Sequence, residues 1–243
     1  MHTIILAAGM SKRFYDEGYL VPKPLIRLSW RGKEQTMLEH VIATIPLEFR
    51  DIVIATHPKW IREIGHNERI HVHPVEATRG PAETAYKTLR ALIPEATLIL
   101  DVDVLNFTND LLRLGSLNNT MGVLVGESAN PAFSYVDQKD EFKHIYEKRR
   151  VSKYAVRGAY FISAIHINAF MSALEKKMPL IGEPFISHIF NHVPIMKTAL
   201  EVSYTPIEWG TPRDVRLSGA HITTPREGDN ARNRSPEHQG RSA

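Results

Sequence analysis

Two segments near the amino terminus combine small residues and cations in a way that suits a phosphate chain. The first is Leu6-Ala7-Ala8-Gly9-Met10-Ser11-Lys12-Arg13-Phe14, and the second is Pro22-Lys23-Pro24-Leu25-Ile26. A turn of small residues leaving a buried strand lets backbone N–H groups approach phosphate oxygens closely. Arg13 and Lys23 can then neutralise a triphosphate from the side. The spacing is neither the Gly-x-Gly-x-x-Gly dinucleotide fingerprint nor a Walker loop with its Gly-Lys-Ser/Thr ending. Either segment alone also fits a strand–turn–helix bearing ordinary surface cations. Both together, at the start of an α/β sheet, point to a phosphate site.

A pair of carboxylates supplies the second signal, in Leu98-Ile99-Leu100-Asp101-Val102-Asp103-Val104. Asp101 and Asp103, one residue apart at the end of a strand, are expected to point to the same side of the sheet. That arrangement suits a hard, oxygen-seeking cation bridging phosphate oxygens; alone, it also suits a solvated strand end. The third signal is Pro206-Ile207-Glu208-Trp209-Gly210-Thr211-Pro212-Arg213-Asp214, whose Gly210-Thr211-Pro212 reads by itself as a plain turn.

Taken in chain order, these segments resemble the signatures of the sugar-phosphate nucleotidyltransferase (NTP transferase) family, across roughly residues 3–217. The family has a Leu-Ala-Ala-Gly-x-Gly-x-Arg-Phe loop followed by Pro-Lys-Pro-Leu-Ile; here Ser11 stands at the second Gly. The resemblance implies a Rossmann-like, glycosyltransferase-A-like fold. It implies nucleotide contacts from Leu6, Ala7, Ala8, Gly9 and Ser11, with Arg13 and Lys23 as catalytic cations. Asp103 takes the position of a metal ligand, and Glu208 that of a second, where the family usually has Asp. The implied cofactor is Mg²⁺, for which Mn²⁺ can substitute. Asp101 falls where the family often has Asn, and is assigned to the nucleotide side. Gly80, Pro81 and Ala82 resemble the loop and helix start that contact the base. Glu147-Lys148 resembles the pair that lines the acceptor pocket, and Arg157-Gly158-Ala159-Tyr160-Phe161 the strand near the acceptor, with Glu147, Lys148 and Gly158 as the pocket's residues. Glu147-Lys148 also fits a surface ion pair, and Tyr160 and Phe161 also fit the core. Gly18-Tyr19-Leu20-Val21 resembles a subgroup found in capsule and surface-polysaccharide pathways.

The elements needed to position these residues are legible from periodicity. Short apolar, β-branched runs recur at 3–8, 51–56, 70–74, 97–104 and 121–125. Between them, Met37, Leu38, Val41, Ile42 and Ile45 follow a helical spacing after the N-cap candidate Thr36. Ala82, Ala85, Leu89 and Leu92 do so after Gly80-Pro81. Alternating strands and helices predict an α/β fold, a mixed, mainly parallel sheet with helices on both faces, whose ligands bind at the carboxyl ends of the strands. Residues 133–137 and 143–147 predict a hairpin around a polar turn at 138–141. A strand is expected at 155–163, and helices at 165–176 and 184–193.

Composition narrows the function classes. The chain has 243 residues, an apolar fraction of 43%, no cysteine and a formal charge of +3. Cysteine chemistry and disulfides are thereby excluded. The only basic cluster, Lys148-Arg149-Arg150, is too short for a nucleic-acid stripe, so no nucleic acid is expected. No apolar run approaches the ~18 residues of a membrane span, and Met1-His2-Thr3-Ile4 lacks a signal-peptide start. A soluble, cytoplasmic protein without membrane contact is expected, with no fused acyltransferase or β-helix domain. His71/His73 and His188/His192 lack the spacing of a zinc site. Residues 1–222 are expected to form one nucleotidyltransferase domain. Residues 223–243 contain no Ile, Leu, Val, Met or aromatic side chain and are expected to form a disordered tail.

The function implied is transfer of a nucleoside monophosphate from an NTP to a phosphorylated small molecule, a sugar phosphate or related surface-polysaccharide precursor, releasing pyrophosphate. Two alternatives share parts of the pattern: a metal-dependent glycosyltransferase using a sugar nucleotide, and a non-catalytic nucleotide-binding regulatory subunit. The Arg13/Lys23 pair argues against the first, and the joint presence of Arg13, Lys23 and Asp103 argues against the second.

Overall fold

A strand covered on both faces must send alternate side chains into two cores, and β1 (His2–Leu6) does so. Ile4 and Leu6 enter one apolar cluster while Ile5, with Ala7 beyond the strand, enters the other. The computed structural model describes residues 1–227. After β1 the strands are β2 (Arg27–Trp30), β3 (Lys33–Thr36), β4 (Asp51–Thr56), β5 (Ile70–Pro74), β6 (Thr97–Asp101), β7 (Val104–Leu105) and β8 (Met121–Glu127). They continue with β9 (Tyr135–Val136), β10 (Asp140–Phe142), β11 (Ile145–Tyr146), β12 (Tyr154–Ile162), β13 (Lys197–Glu201), β14 (Ile207–Glu208) and β15 (His221–Ile222). The helices are α1 (Lys12–Tyr15), α2 (Met37–Ile42), α3 (Pro81–Leu89), α4 (Thr108–Gly115), α5 (Ile167–Lys177), α6 (Ile186–Phe190) and α7 (Pro212–Leu217).

The main sheet has the order β10-β13-β8-β12-β6-β1-β4-β5. Strands β6, β1, β4 and β5 are parallel, as are β13 and β8. Strand β12 runs antiparallel between β6 and β8. The sheet is therefore mixed and mainly parallel, as expected. Its two faces are covered by different helices: α3, α5 and α6 contribute to one cluster, and α2, α4 and α7 to the other. From β1 the chain moves to β4 on one side and later reaches β6 on the other. The crevice at the carboxyl ends of β1 and β6 is thus a topological switch point, where such sheets bind ligands.

Local signals decide several element ends. Thr36 caps α2 as expected: its hydroxyl accepts from Glu39 N–H at 3.1 Å, while the Glu39 carboxylate accepts from Thr36 N–H at 2.7 Å. Pro81 opens α3, where a missing N–H costs nothing. Other boundaries differ from the sequence expectation. The run 97–104 breaks after Asp101 into a turn, so Asp103 lies on the turn rather than on a strand. Alternation along one strand does not explain how it and Asp101 share a cleft. The hairpin is formed by β9 and β11, but the supposed polar turn contains β10, which pairs with β13 and buries Phe142. A buried aromatic and an open sheet edge together outweigh the polarity of the neighbouring residues.

The domain boundary drawn at residue 222 falls inside an ordered stretch. Thr223 N–H donates to Arg27 O at 3.0 Å, Arg27 N–H donates to Thr224 Oγ1 at 2.7 Å, and Glu227 N–H donates to Gly18 O at 2.9 Å. Arg226 lies over the Tyr19 ring at 5.0 Å and donates to its hydroxyl. Backbone pairing and one cation–π contact order residues 223–227 without any apolar side chain of their own; residues 228–243 lie outside the described ones. Among the described residues no helix is long and apolar enough to cross a membrane. Comparing chains that end after Glu227 and after Ile222, the shorter should melt lower, by about 2–4 °C for each kcal/mol lost. Equal melting temperatures would show that these contacts contribute nothing.

Candidate functional site

The loop after β1 presents backbone rather than side chains. Leu6 and Ala7 are buried, and Ala7 N–H donates to Ala55 O at 2.8 Å. Beyond Ala7 the chain leaves the sheet. The N–H groups of Ala8, Gly9, Met10 and Ser11 donate to no acceptor among the described residues. A methyl group built on Gly9 would meet nothing within 4 Å. Four donors unpaired among the described residues on an open turn have the geometry that backbone anion sites use.

Ser11 explains how the loop works without the family's second glycine. Its φ of 53° is left-handed, a conformation that favours glycine. The hydroxyl offsets that cost by accepting the Lys23 N–H at 2.7 Å. This bond ties the loop to the Pro22-Lys23-Pro24 segment twelve residues later. Lys23, in a 3₁₀ turn at Lys23–Leu25, then reaches Asp103 with an Nζ–Oδ2 distance of 2.6 Å.

One cleft of about 800 Å³ gathers the expected acidic and acceptor-side residues around Arg13. Arg13, Asp101, Asp103, Glu147, Lys148, Gly158 and Glu208 all line it. A methyl group on Gly210 would lie 3.5 Å from both Asp103 Oδ2 and Asp214 Oδ2 and 3.8 Å from Arg13 Nη1, so these three groups converge there. Lys23 reaches the cleft through Asp103. Gly80, Pro81 and Ala82 are not among its lining residues. A Cβ on Gly80 would stand 2.7 Å from Pro184 O, and Ala82 N–H donates to that same carbonyl at 2.9 Å. The structure thus gives this glycine a packing reason: close approach of the 184 segment ahead of α6.

The register places the acids. Asp101 ends β6 opposite Leu6 of β1, at the root of the phosphate loop. On its other side β12 shifts register between Val156 and Tyr160, and Gly158 sits in that irregularity with a φ of 58°. A Cβ there would lie 2.8 Å from Val104 Cγ2 and 3.0 Å from Asp101 Oδ2. Glu208 lies on β14, which pairs with β7 directly after the Asp103 turn, so Val104 and Glu208 are opposite each other. Trp209 N–H donates to Asp103 O at 2.8 Å and fastens the two segments.

Electrostatics follow from this crowding. Burial, and then the Asp103 charge, push Asp101 up to about 7. Burial would raise Asp103 too, but the Lys23 ammonium beside it holds it below the usual carboxylate range. Glu208 is raised, chiefly by burial, although Arg157 opposes the shift with an Nη1–Oε1 bond of 2.8 Å. Sequence reasoning assigned no role to Arg157, which is 4% exposed, because nothing in the sequence signals that its partner lies 51 residues away. Glu147 is held by hydroxyls from Ser134 and Ser187, the latter at 2.7 Å. Its neighbour Lys148 turns to the Phe185 ring at 4.7 Å. The histidine pairs join no metal cluster among the described residues, where no group of three His, Asp or Glu side chains is placed to hold an ion. Mg²⁺ needs no such cage, since it takes one or two carboxylates and completes its shell with phosphates and water. Asp103 and Glu208, which share one cleft and of which the Asp103 charge makes Glu208 harder to ionise, are a donor set that fits it.

Residues 3–117 match the family model of the MobA-like NTP transferase domain. The amino-terminal part of the chain is thus similar to NTP transferases. The matched region contains the loop after β1, Lys23, Asp101 and Asp103, but not Glu147, Gly158 or Glu208. Solved structures extend the likeness in fold. A putative glucose-1-phosphate thymidylyltransferase from Bacillus anthracis superposes with a TM-score of 0.74 at 18% identity, covering 90% of this chain and 94% of that one. A UDP-glucose pyrophosphorylase complexed with UDP-glucose gives 0.72 at 14% identity, with 90% and 97% covered. The inositol-1-phosphate CTP transferase from T. maritima gives 0.69 at 15%, with 88% and 90% covered. No curated protein matches the sequence.

Two substitutions test the backbone geometry. Ser11→Ala keeps the left-handed strain and loses the Lys23 bond, whereas Ser11→Gly loses only the bond. The alanine variant should be less stable than the glycine variant by about 1–2 kcal/mol in denaturant unfolding, and equal midpoints would contradict the left-handed assignment. Gly158→Ala should cost on the order of 1–3 kcal/mol. An unchanged unfolding midpoint would show that the strand does not press against Asp101.

Proposed function

We propose that this protein transfers a nucleoside monophosphate from an NTP to the phosphate of a small phosphorylated acceptor, a sugar phosphate or related surface-polysaccharide precursor, and releases pyrophosphate. The observation that carries this reading is the convergence, at the carboxyl ends of β1 and β6, of four free loop N–H groups, the Lys23–Asp103 pair and Glu208. In the proposed reaction the loop N–H groups and Arg13 bind the triphosphate tail. Lys23, released from Asp103, follows charge on the reacting phosphates. Asp103 and Glu208 would hold Mg²⁺ (or Mn²⁺), which when bound supplies Lewis-acid neutralisation of phosphate oxygens. The resemblance assigns Gly80, Pro81 and Ala82, which stand outside the cleft's lining, to the base, and Asp101 to the nucleotide side. Glu147, Lys148 and the backbone at Gly158 border the acceptor end of the cleft. Attack by the acceptor phosphate oxygen on the α-phosphorus forms the new P–O–P bridge as the bond to pyrophosphate breaks. No covalent enzyme intermediate is needed, so catalysis is positioning plus charge neutralisation. The neighbours described as acting on glucose 1-phosphate, inositol 1-phosphate or UDP-glucose support the acceptor class. A cytoplasmic location, where NTPs are abundant, belongs to the same proposal.

The test is a panel of NTPs against phosphorylated sugars and polyols with Mg²⁺, read as pyrophosphate release. At least one pair should turn over, and Lys23→Ala and Arg13→Ala should each lower kcat/KM by about 100–1,000-fold without unfolding. Asp103→Asn and Glu208→Gln should each raise the metal concentration needed, with a combined loss smaller than the product of the two. Losses below about threefold for both cations, or full activity in EDTA, would refute the assignment.

A further inference from the structure

One buried cation beside the cleft has no part in the reaction proposed above. Arg157 is 4% exposed and is not among the residues lining the cleft, although Val156 and Gly158 on either side of it are. The register shift of β12 falls here, and Asn106 Nδ2 holds the backbone by donating to Arg157 O at 3.1 Å. Arg157 therefore reaches Glu208 from behind the cleft wall, beyond the reach of a substrate.

Four neighbours fix its guanidinium. Nη1 donates to Glu208 Oε1 at 2.8 Å, and Nη2 donates to Glu127 O at 2.7 Å. The central carbon stands 5.2 Å from the middle of the Phe133 ring. A methyl group built on Gly126 would lie 3.0 Å from Nε, so that glycine leaves the room the guanidinium occupies. An arginine held in this way cannot follow a carboxylate; the carboxylate has to come to it. Glu208 needs such an anchor. It sits on the two-residue strand β14, carries one methylene more than Asp, and keeps its side chain 26% exposed. A long side chain loses rotamer freedom before it can ligate. The Arg157 bond takes Oε1 and leaves Oε2 without a hydrogen bond among the described residues. Carboxylates that ligate metals are themselves oriented by hydrogen bonds from behind.

We infer that Arg157 is a positioning residue that holds Glu208 as a one-oxygen metal ligand, an inference that rests on the proposed Asp103/Glu208 site. It acts only through Glu208 and touches neither nucleotide nor acceptor. The guanidinium charge by itself repels a divalent ion. Removing it therefore tightens metal binding if Arg157 merely balances charge, and loosens metal binding if Arg157 positions the ligand.

The probe is Mn²⁺ alone, titrated into the full chain and followed by water-proton relaxation enhancement, with no nucleotide and no turnover. Asp103→Asn and Glu208→Gln should each weaken its binding; if neither does, the metal site is misassigned and the inference falls with it. Arg157→Met should weaken Mn²⁺ binding by about 10–100-fold. Arg157→Lys, which keeps a charged donor without the planar fork, should recover part of that loss. In a Glu208→Gln background, Arg157→Met should add less than about threefold, because its effect passes through the missing carboxylate. Denaturant unfolding checks that each variant is folded. If the methionine variant is not, the lysine variant decides, with an expected loss of at least about threefold. Mn²⁺ binding that is unchanged or tighter in the folded Arg157 variant, while Asp103→Asn and Glu208→Gln weaken it, overturns this inference alone. An undiminished effect of Arg157→Met in the Glu208→Gln background does the same.

Discussion

The site depends on keeping several carboxylates together where water is scarce. Asp101, Asp103 and Glu208 share one cleft, where the Asp103 charge makes ionisation of the other two harder. Unpaired, such charges would cost several kcal/mol each. Two cations make the arrangement tenable: Lys23, eighty residues before Asp103 in the chain, and Arg157, fifty-one before Glu208. Asp101 forms no ion pair among the described residues, and burial, then the Asp103 charge, push it up to about 7. The resting protein therefore already contains the charge pattern that a metal and a triphosphate would reorganise.

Closing these pairs places demands on the backbone at two positions. The loop after β1 must turn sharply at Ser11 to bring Lys23 alongside, and the hydroxyl that bonds Lys23 N–H compensates for the left-handed turn. Strand β12 must pass close to Asp101, and only a residue without Cβ fits where its register shifts at Gly158. The sheet supplies the rest. With β1 and β6 adjacent and parallel, their carboxyl ends deliver the loop and the acids to the same edge.

Much of this was legible in the chain. Short apolar, β-branched runs marked β1 and β4, because a strand buried on both faces can hardly be polar. Thr36 with Glu39, and Pro81 after Gly80, marked helix starts through local backbone chemistry that needs no tertiary context. Less legible were features decided by a distant partner. Strand β10 looked like a turn because its pairing with β13 is not a local property. Residues 223–227 looked unstructured because their order comes from the backbone of Arg27 and Gly18 and the ring of Tyr19.

The sequence by itself determined the α/β class, the loop with Arg13 and Lys23, and the pair Asp101/Asp103, since each is written in contiguous residues. Tertiary structure alone decided that Glu208 pairs with Arg157, that Gly80 serves packing against Pro184, and that Asp103 reaches the cleft from a turn. The physical reason is the same in each case. A contact between residues fifty or a hundred positions apart exists only after the sheet has closed, and no local pattern of side chains encodes which groups that closure will bring face to face.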